Sequence, residues 1–268
     1  MEENNTPQTE PERYDGPSKE KMPFGKWIDN FWYHYKWHII GILFVLLVVI
    51  VCVTQCVGNV REPVDIHILY AGSEQISTTT DSETGKVPYA ELEASIRNLI
   101  DDYDENGKRV LNFESYYWLS TEELNKLEEN NKALPPAERV DVEYHASVVY
   151  DSTTKINSLL SSSDYFVLFI SDDLYEYLLT TAGGKDRFLP IDSYANEGTE
   201  LNYYKDKSGN ADTHAVYLKD LGISSLGTIG TLPDDTLVVL RTPSFFEMSD
   251  TEPYEVSCEF LKKILNYK

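Results

Sequence analysis

The feature that most constrains this chain is the run Ile39–Val53, IIGILFVLLVVIVCV, which is apolar throughout. Adding Trp37, His38 and Thr54 through Val57 gives 21 residues without formal charge while His38 is neutral. At 1.5 Å per residue that is about 31 Å of helix, the thickness of a bilayer's hydrocarbon core. A helix in the core of a soluble domain is disfavoured by the length of the stretch, its flanks and the lack of any polar face. The expected partner of residues 37–57 is therefore the lipid bilayer.

The flanks set the expected orientation. Trp27, Phe31, Trp32, Tyr33, Tyr35 and Trp37 crowd the N-terminal side, where amphipathic rings suit the head-group layer. Lys19, Lys21, Lys26 and Lys36 lie on the same side, against Arg61 on the other. The positive-inside bias places the N-terminus in the cytoplasm and the C-terminal part outside the cell membrane. A cleaved signal peptide would want a small-residue cleavage site after the run, and no A-x-A pattern follows. A lipoprotein signal would want a small residue before Cys56, where Gln55 stands. The expected division is a disordered cytoplasmic tail (1–22), an interfacial aromatic helix (23–36), a single transmembrane helix (37–57), a linker (58–63) and an extracytoplasmic domain (64–268).

Charge narrows the partners. The formal net charge is -22. Residues 1–57 hold five Lys/Arg and seven Asp/Glu, so the remainder carries 18 minus 38, or -20. So acidic a domain repels phosphate backbones, which makes nucleic acid a poor candidate partner. It also repels anionic head groups. Cys52 and Cys56 fall in the apolar run, four residues apart on one helix face. Cys258 is the one cysteine beyond it, so no disulfide closes within the outer domain. Cys258 is expected as a small buried hydrophobe.

Val64–Tyr70 alternates and reads as a strand. Tyr89–Tyr103 has helical spacing, and Val110–Trp118 reads as a second strand. Ser120 with Glu123 three residues on is a capping box for a helix ending before Pro135-Pro136. Val140–Val149 leans to strand, followed by a helix over 152–160. Tyr165–Ser171 (YFVLFIS) suits the centre of a sheet. Leu174–Thr181 reads as a helix stopped by Gly183-Gly184, and Phe188–Ile191 as a short return. Gly198–Asp212 reads as a polar insertion. Ala215–Leu218 and Thr236–Leu240 read as strands, and Tyr254–Leu265 as a closing helix. Strands alternating with helices predict an α/β domain with a mostly parallel sheet flanked by helices.

In open α/β sheets, ligands bind outside the carboxyl ends of strands. Here those ends supply Tyr70, Gly72, Ser73, Trp118, Asp172 and Asp173 as candidate ligand-binding residues. The plainer reading of Ser171-Asp172-Asp173 is a helix cap with acids on its dipole. Asp102-x-Asp104-x-Asn106-Gly107 has the oxygen spacing of the first half of a calcium loop, giving Asp102, Asp104 and Asn106 as candidate metal ligands. Phe113 stands at the twelfth position where Glu is required, Glu114 comes one residue late, and Arg109 replaces an apolar residue. The plainer reading is a helix end running into an Asn-Gly turn. Sixteen of the 19 tyrosines lie beyond the apolar run, where they suit half-buried sheet positions as well as ligands. His67, His145 and His214 are scattered, and no nucleophile elbow, P-loop or dinucleotide fingerprint occurs. No cofactor is expected.

The segment DYFVLFISDDLYEYLLTTAGGKDRFL from Asp164, and VDIHILYAG before it, resemble bacterial extracytoplasmic solute-binding proteins. The outer domain is shorter than the two-lobed members of that group. The FWYHYKWH run resembles uncharacterised single-pass proteins of Gram-positive bacteria. The resemblance implies a membrane-anchored, non-enzymatic domain that binds a small ligand or a protein. The alternative is a structural or assembly protein acting through its anchor.

Overall fold

The computed structural model describes residues 23–58, 63–82, 86–162, 164–181, 183–244 and 252–268. The expected tail 1–22 and most of the linker lie outside them. The chain divides into two compact units, Met1–Arg61 and Glu62–Lys268.

Among the described residues the first unit holds one helix, α1 (Phe24–Gly58), of 35 residues. Its window Phe31–Thr54 has a mean hydropathy of 2.8 and no residue buried by protein. Among the described residues it is the one helix long and apolar enough to cross a membrane, a property it shares with N-terminal signal sequences. The backbone does not break at residue 36, so the expected interfacial and spanning parts are one rod differing in composition. Phe24, Trp27, Phe31, Tyr35 and His38 line one face with centroid separations of 6.3, 5.6, 5.0 and 6.2 Å, the first two pairs stacked and the last two tilted. Their three- and four-residue spacing puts them on that face.

The second unit is α/β. Its strands are β1 (Ile66–Gly72), β2 (Leu111–Tyr117), β3 (Tyr165–Ser171), β4 (Phe188–Leu189), β5 (Tyr203–Lys205), β6 (Ala211–Tyr217) and β7 (Thr236–Arg241). Its helices are α2 (Pro88–Arg97), α3 (Thr121–Ala133), α4 (Val142–Ser162), α5 (Asp172–Thr180) and α6 (Glu252–Leu265). The strands form one sheet in the order β2-β1-β3-β7-β6-β5, with β4 also on β7.

The sheet is mixed, which corrects the expectation of a mostly parallel one. β1 runs parallel to β2 and β3, whereas β3–β7, β7–β6, β6–β5 and β4–β7 are antiparallel. The reason lies in the connections. A parallel pair needs a crossover element, and helices supply it between β1, β2 and β3. Between β6 and β7 the chain makes only short 3₁₀ turns. The polar insertion at 198–212 contains a strand as well: β5 turns into β6 through Gly209 at φ 81°.

Helices cover both faces. Ile66, Ile68 and Tyr70 of β1 enter one core with Leu92 and Ile96 of α2 and Phe260, Leu261 and Ile264 of α6. Leu69 and Ala71 enter the other with Ile156 of α4 and Leu174, Tyr175 and Leu178 of α5. All seven residues of β3 are buried, since it has a strand on either side and a helical layer over each face. Each large side chain so buried contributes about 1.5–3 kcal/mol. Cys258 is half-buried against the first core, with the Tyr194 hydroxyl 3.5 Å from its sulfur.

Residues 140–149 are not a strand. From Val142 on they begin α4, which continues unbroken through the helix expected at 152–160. The β-branched residues Val140, Val142, Val148 and Val149 suggest strand, but tertiary packing overrides the preference. Val149, Ser152, Ile156 and Leu160 are buried at helical spacing on the second core.

Candidate functional site

β1, β2 and β3 run the same way, so their carboxyl ends share one edge of the sheet. At that edge an open groove of about 620 Å³ lies between the start of α3, one face of α4 and the first turns of α5. Trp118 and Asp173 line it. Tyr70, Gly72, Ser73 and Asp172 do not.

Trp118 is fixed from three sides. Its backbone N–H donates to the Gly72 carbonyl at 2.8 Å, extending the β1–β2 ladder by one rung. Its indole Nε1–H donates to Thr153 Oγ1 of α4 at 3.0 Å. Its ring sits 5.7 Å from that of Tyr177 on α5. Gly72 thus serves the groove through its carbonyl. A Cβ there would fall 2.8 Å from the Tyr70 hydroxyl. Tyr70 itself points into the opposite core, fully buried. Its hydroxyl, beside the Glu74 backbone, makes no hydrogen bond of ordinary geometry.

The groove's first helical wall is set by the capping box anticipated from the sequence. Ser120 Oγ accepts from the Glu123 amide at 3.2 Å, and Glu123 Oε2 accepts from the Ser120 amide at 2.8 Å. That reciprocal pair satisfies two amides at the helix start. α5 begins in the same manner, with Ser171 capping the Leu174 amide and Asp172 and Asp173 in the first turn.

Asp172 faces another neighbourhood. Its amide donates to the Asp235 carbonyl at 3.1 Å. Burial first, then the Asp235 charge, pushes its carboxyl up to about 6. Burial likewise raises Asp235. Glu176 behaves in the opposite sense. Burial would raise it, but Lys207 at 2.6 Å and the donated Tyr204 hydroxyl at 2.6 Å outweigh burial and hold it below the usual carboxylate range.

Several groove residues were not anticipated: Glu122, Tyr150, Thr153, Thr154, Asn157, Glu176, Tyr177 and Lys207. The signal for those on α4 was present. Read as one helix, the segment sets Tyr150, Thr153, Thr154 and Asn157 beside the buried stripe. Assigning 140–149 to a strand hid that register.

The calcium-like loop is tied by its own backbone. Asp102 accepts from the Asn106 and Gly107 amides at 3.1 and 2.7 Å. Asp104 accepts from the Asn106 amide and side chain at 3.1 and 2.5 Å. Asn106 Oδ1 accepts from the Lys108 amide at 2.8 Å. Buried Asp65 joins from outside, accepting from Tyr103 and Val110 amides at 2.9 and 2.6 Å. Carboxylate oxygens of Asp65, Asp102 and Asp104 lie within 4.8 Å of one another. Hydrogen bonds to the turn's amides account for these carboxylates in place, and Glu105 (φ 55°) and Gly107 (φ 85°) bend the chain to reach them.

A second polar cluster escaped the sequence reading altogether. Asp212, buried on β6, accepts from His214 Nδ1 at 2.7 Å, Lys185 at 3.0 Å and the Tyr175 hydroxyl at 3.2 Å. It pins the turn after α5 to the antiparallel half of the sheet. Burial would raise its carboxyl, but His214 and Lys185 outweigh burial and hold it low.

Comparison with known proteins gives no match to a family model, to a curated protein or to a solved structure.

Proposed function

We propose that this chain is a membrane-tethered, extracytoplasmic binding protein, solute-binding-like, whose ligand occupies the groove between α3, α4 and α5. The observation that carries it is convergence. Trp118 from the end of β2, Tyr150 from α4, and Asp173 and Tyr177 from α5 meet on one concave surface. Aromatic walls with a few oriented polar groups are the usual composition of small-ligand sites. Their place outside the carboxyl ends of parallel strands is where such sheets take ligands. Orientation rests on the lysine bias and on the aromatic flank of α1.

Trp118 offers the test, because the other three tryptophans, Trp27, Trp32 and Trp37, lie on α1. Full-length protein in detergent, with those three replaced by phenylalanine, reports groove occupancy through Trp118 fluorescence. Saturable change with a sugar, amino acid, amine or dicarboxylate, lost on Tyr150→Ala, is the expected result. Absence of any response and of any thermal shift across the panel overturns the reading. For topology, protease added to intact cells is expected to cut beyond Arg61.

One observation favours a second reading. The row of five rings on α1 and the neighbouring apolar face suit contact with another membrane helix, the mark of an assembly protein. Function retained after deleting residues 64–268 would select it.

A further inference from the structure

We infer that the groove's ligand is a small organic cation carrying two or more amines, a class that rests on the groove being the binding site. The lining has three carboxylates, Glu122, Asp173 and Glu176, against one ammonium, Lys207. That leaves a net of -2 on a wall that also presents Trp118, Tyr150 and Tyr177. Aromatic faces beside carboxylates attract ammonium groups by their quadrupole and by charge, and their ring surfaces take the methylenes between amines.

The two helix starts at the groove decide against an anion. A bare helix N-terminus draws anions through its amides and dipole. Here α3 places Glu122 and Glu123 in its first turn, and α5 places Asp172 and Asp173 there. Those amides are answered from within. The remaining cation, Lys207, is held by Glu176 at 2.6 Å. Asp173, by contrast, enters no close ion pair among the described residues, and Glu122 is tied only to exposed Lys126 at 2.8 Å. Tyr150 is 74% exposed and Tyr177 is 37% exposed, so both rings are available. The surrounding domain, at -20 over residues 58–268, adds a field that raises the local concentration of cations.

Calorimetric titration of the full-length chain in detergent separates the possibilities, with spermidine, 1,4-diaminobutane, maltose, succinate and tetralysine as probes. Spermidine is expected to bind saturably and more tightly than diaminobutane, weakening several-fold as salt is raised. The double variant Glu122→Gln/Asp173→Asn should weaken it at least tenfold, and Tyr150→Ala should weaken it as well. Lys207→Gln should tighten it, since it frees Glu176. All four positions are accessible, so thermal melting should be little changed and loss of binding is not loss of fold. Asp104→Asn, in the remote acidic loop, should leave affinity intact. Spermidine binding equally well to the double variant means diffuse attraction to an acidic surface and overturns the inference. Maltose or succinate binding in its place, with Tyr150 dependence, overturns the amine class while the groove remains the site. Tetralysine binding to the groove in preference to spermidine shifts the occupant to a basic peptide and also overturns it. Silence from every probe removes both the class and the site.

Discussion

The two halves of the sheet are built by different means. The β2-β1-β3 half is parallel and joined through helices, with Asn112 bridging His67 and Tyr165 at 2.9 Å across its three strands. The β7-β6-β5 half is antiparallel, joined by turns, and clamped by the buried Asp212 with its three partners. Parallel pairing leaves three strand ends at one edge, and the loops leaving it are free to build a groove. Antiparallel pairing sends alternate ends to opposite edges and gathers no such edge. The groove therefore forms on the parallel half, with Lys207 reaching it from the β5–β6 turn, and the Asp212 staple lies in the other.

That contrast is most severely tested in the middle of β3. Phe169 is 1% exposed, so Phe169→Ala opens a cavity in a packed layer. A loss of about 3–5 kcal/mol is expected in chemical denaturation, enough to unfold many domains. A loss below about 1 kcal/mol would mean that the parallel half is not the rigid one.

The staple should come next. Asp212→Ala leaves Lys185, His214 and Tyr175 without their shared acceptor, at a cost of about 2–3 kcal/mol. The pH dependence follows from its lowered carboxyl. Folded Asp212 ionises more readily than the unfolded residue, so its contribution is present above the unfolded value. It is lost as pH falls through the still lower folded one. Wild type and variant should converge under acid conditions. Parallel curves down to low pH would show that the staple is packing rather than charge.

How far the sequence betrayed this arrangement depends on which half is considered. β3 was legible because a strand covered on both faces has to be apolar at every position, and YFVLFIS is. The α3 cap was legible because Ser120 and Glu123 act within one turn. The mixed sheet was legible only through an absence, the missing helical pattern between Leu218 and Thr236, which argues against a crossover. The groove was half legible: Trp118 and Asp173 follow from strand ends, whereas Tyr150 and Asn157 depend on a helix whose valines imitate a strand. The Asp212 staple was opaque. Lys185 and Tyr175 reach Asp212 across gaps of 27 and 37 residues in the chain, and no local pattern marks such a meeting.

A smaller effect probes the groove wall. Ser120→Ala removes one half of the capping box and should cost about 1 kcal/mol. Because α3 forms a side of the groove, the same variant should loosen ligand affinity, measurable by the Trp118 titration. Stability lost without any change in affinity would separate the wall from the site.

The smallest expected effect carries the opposite sign and belongs to the junction of the halves, where β3 ends and β7 begins. Asp172 has its carboxyl raised from 3.8 to about 6 by burial and by Asp235. A raised acid binds its proton more tightly folded than unfolded. Stability therefore increases as pH falls from about 6 towards 4, and at neutral pH the ionised Asp172 is a cost. Full conversion of that displacement would give about 3 kcal/mol. The side chain is only half-buried, and in the first turn its charge also favours the α5 dipole, so the net penalty should be below about 1 kcal/mol. Asp172→Asn is thus expected to stabilise slightly at pH 7 and to flatten the rise between pH 6 and 4. A variant less stable than wild type at pH 7 would mean that the helix start values this charge more than the junction resents it.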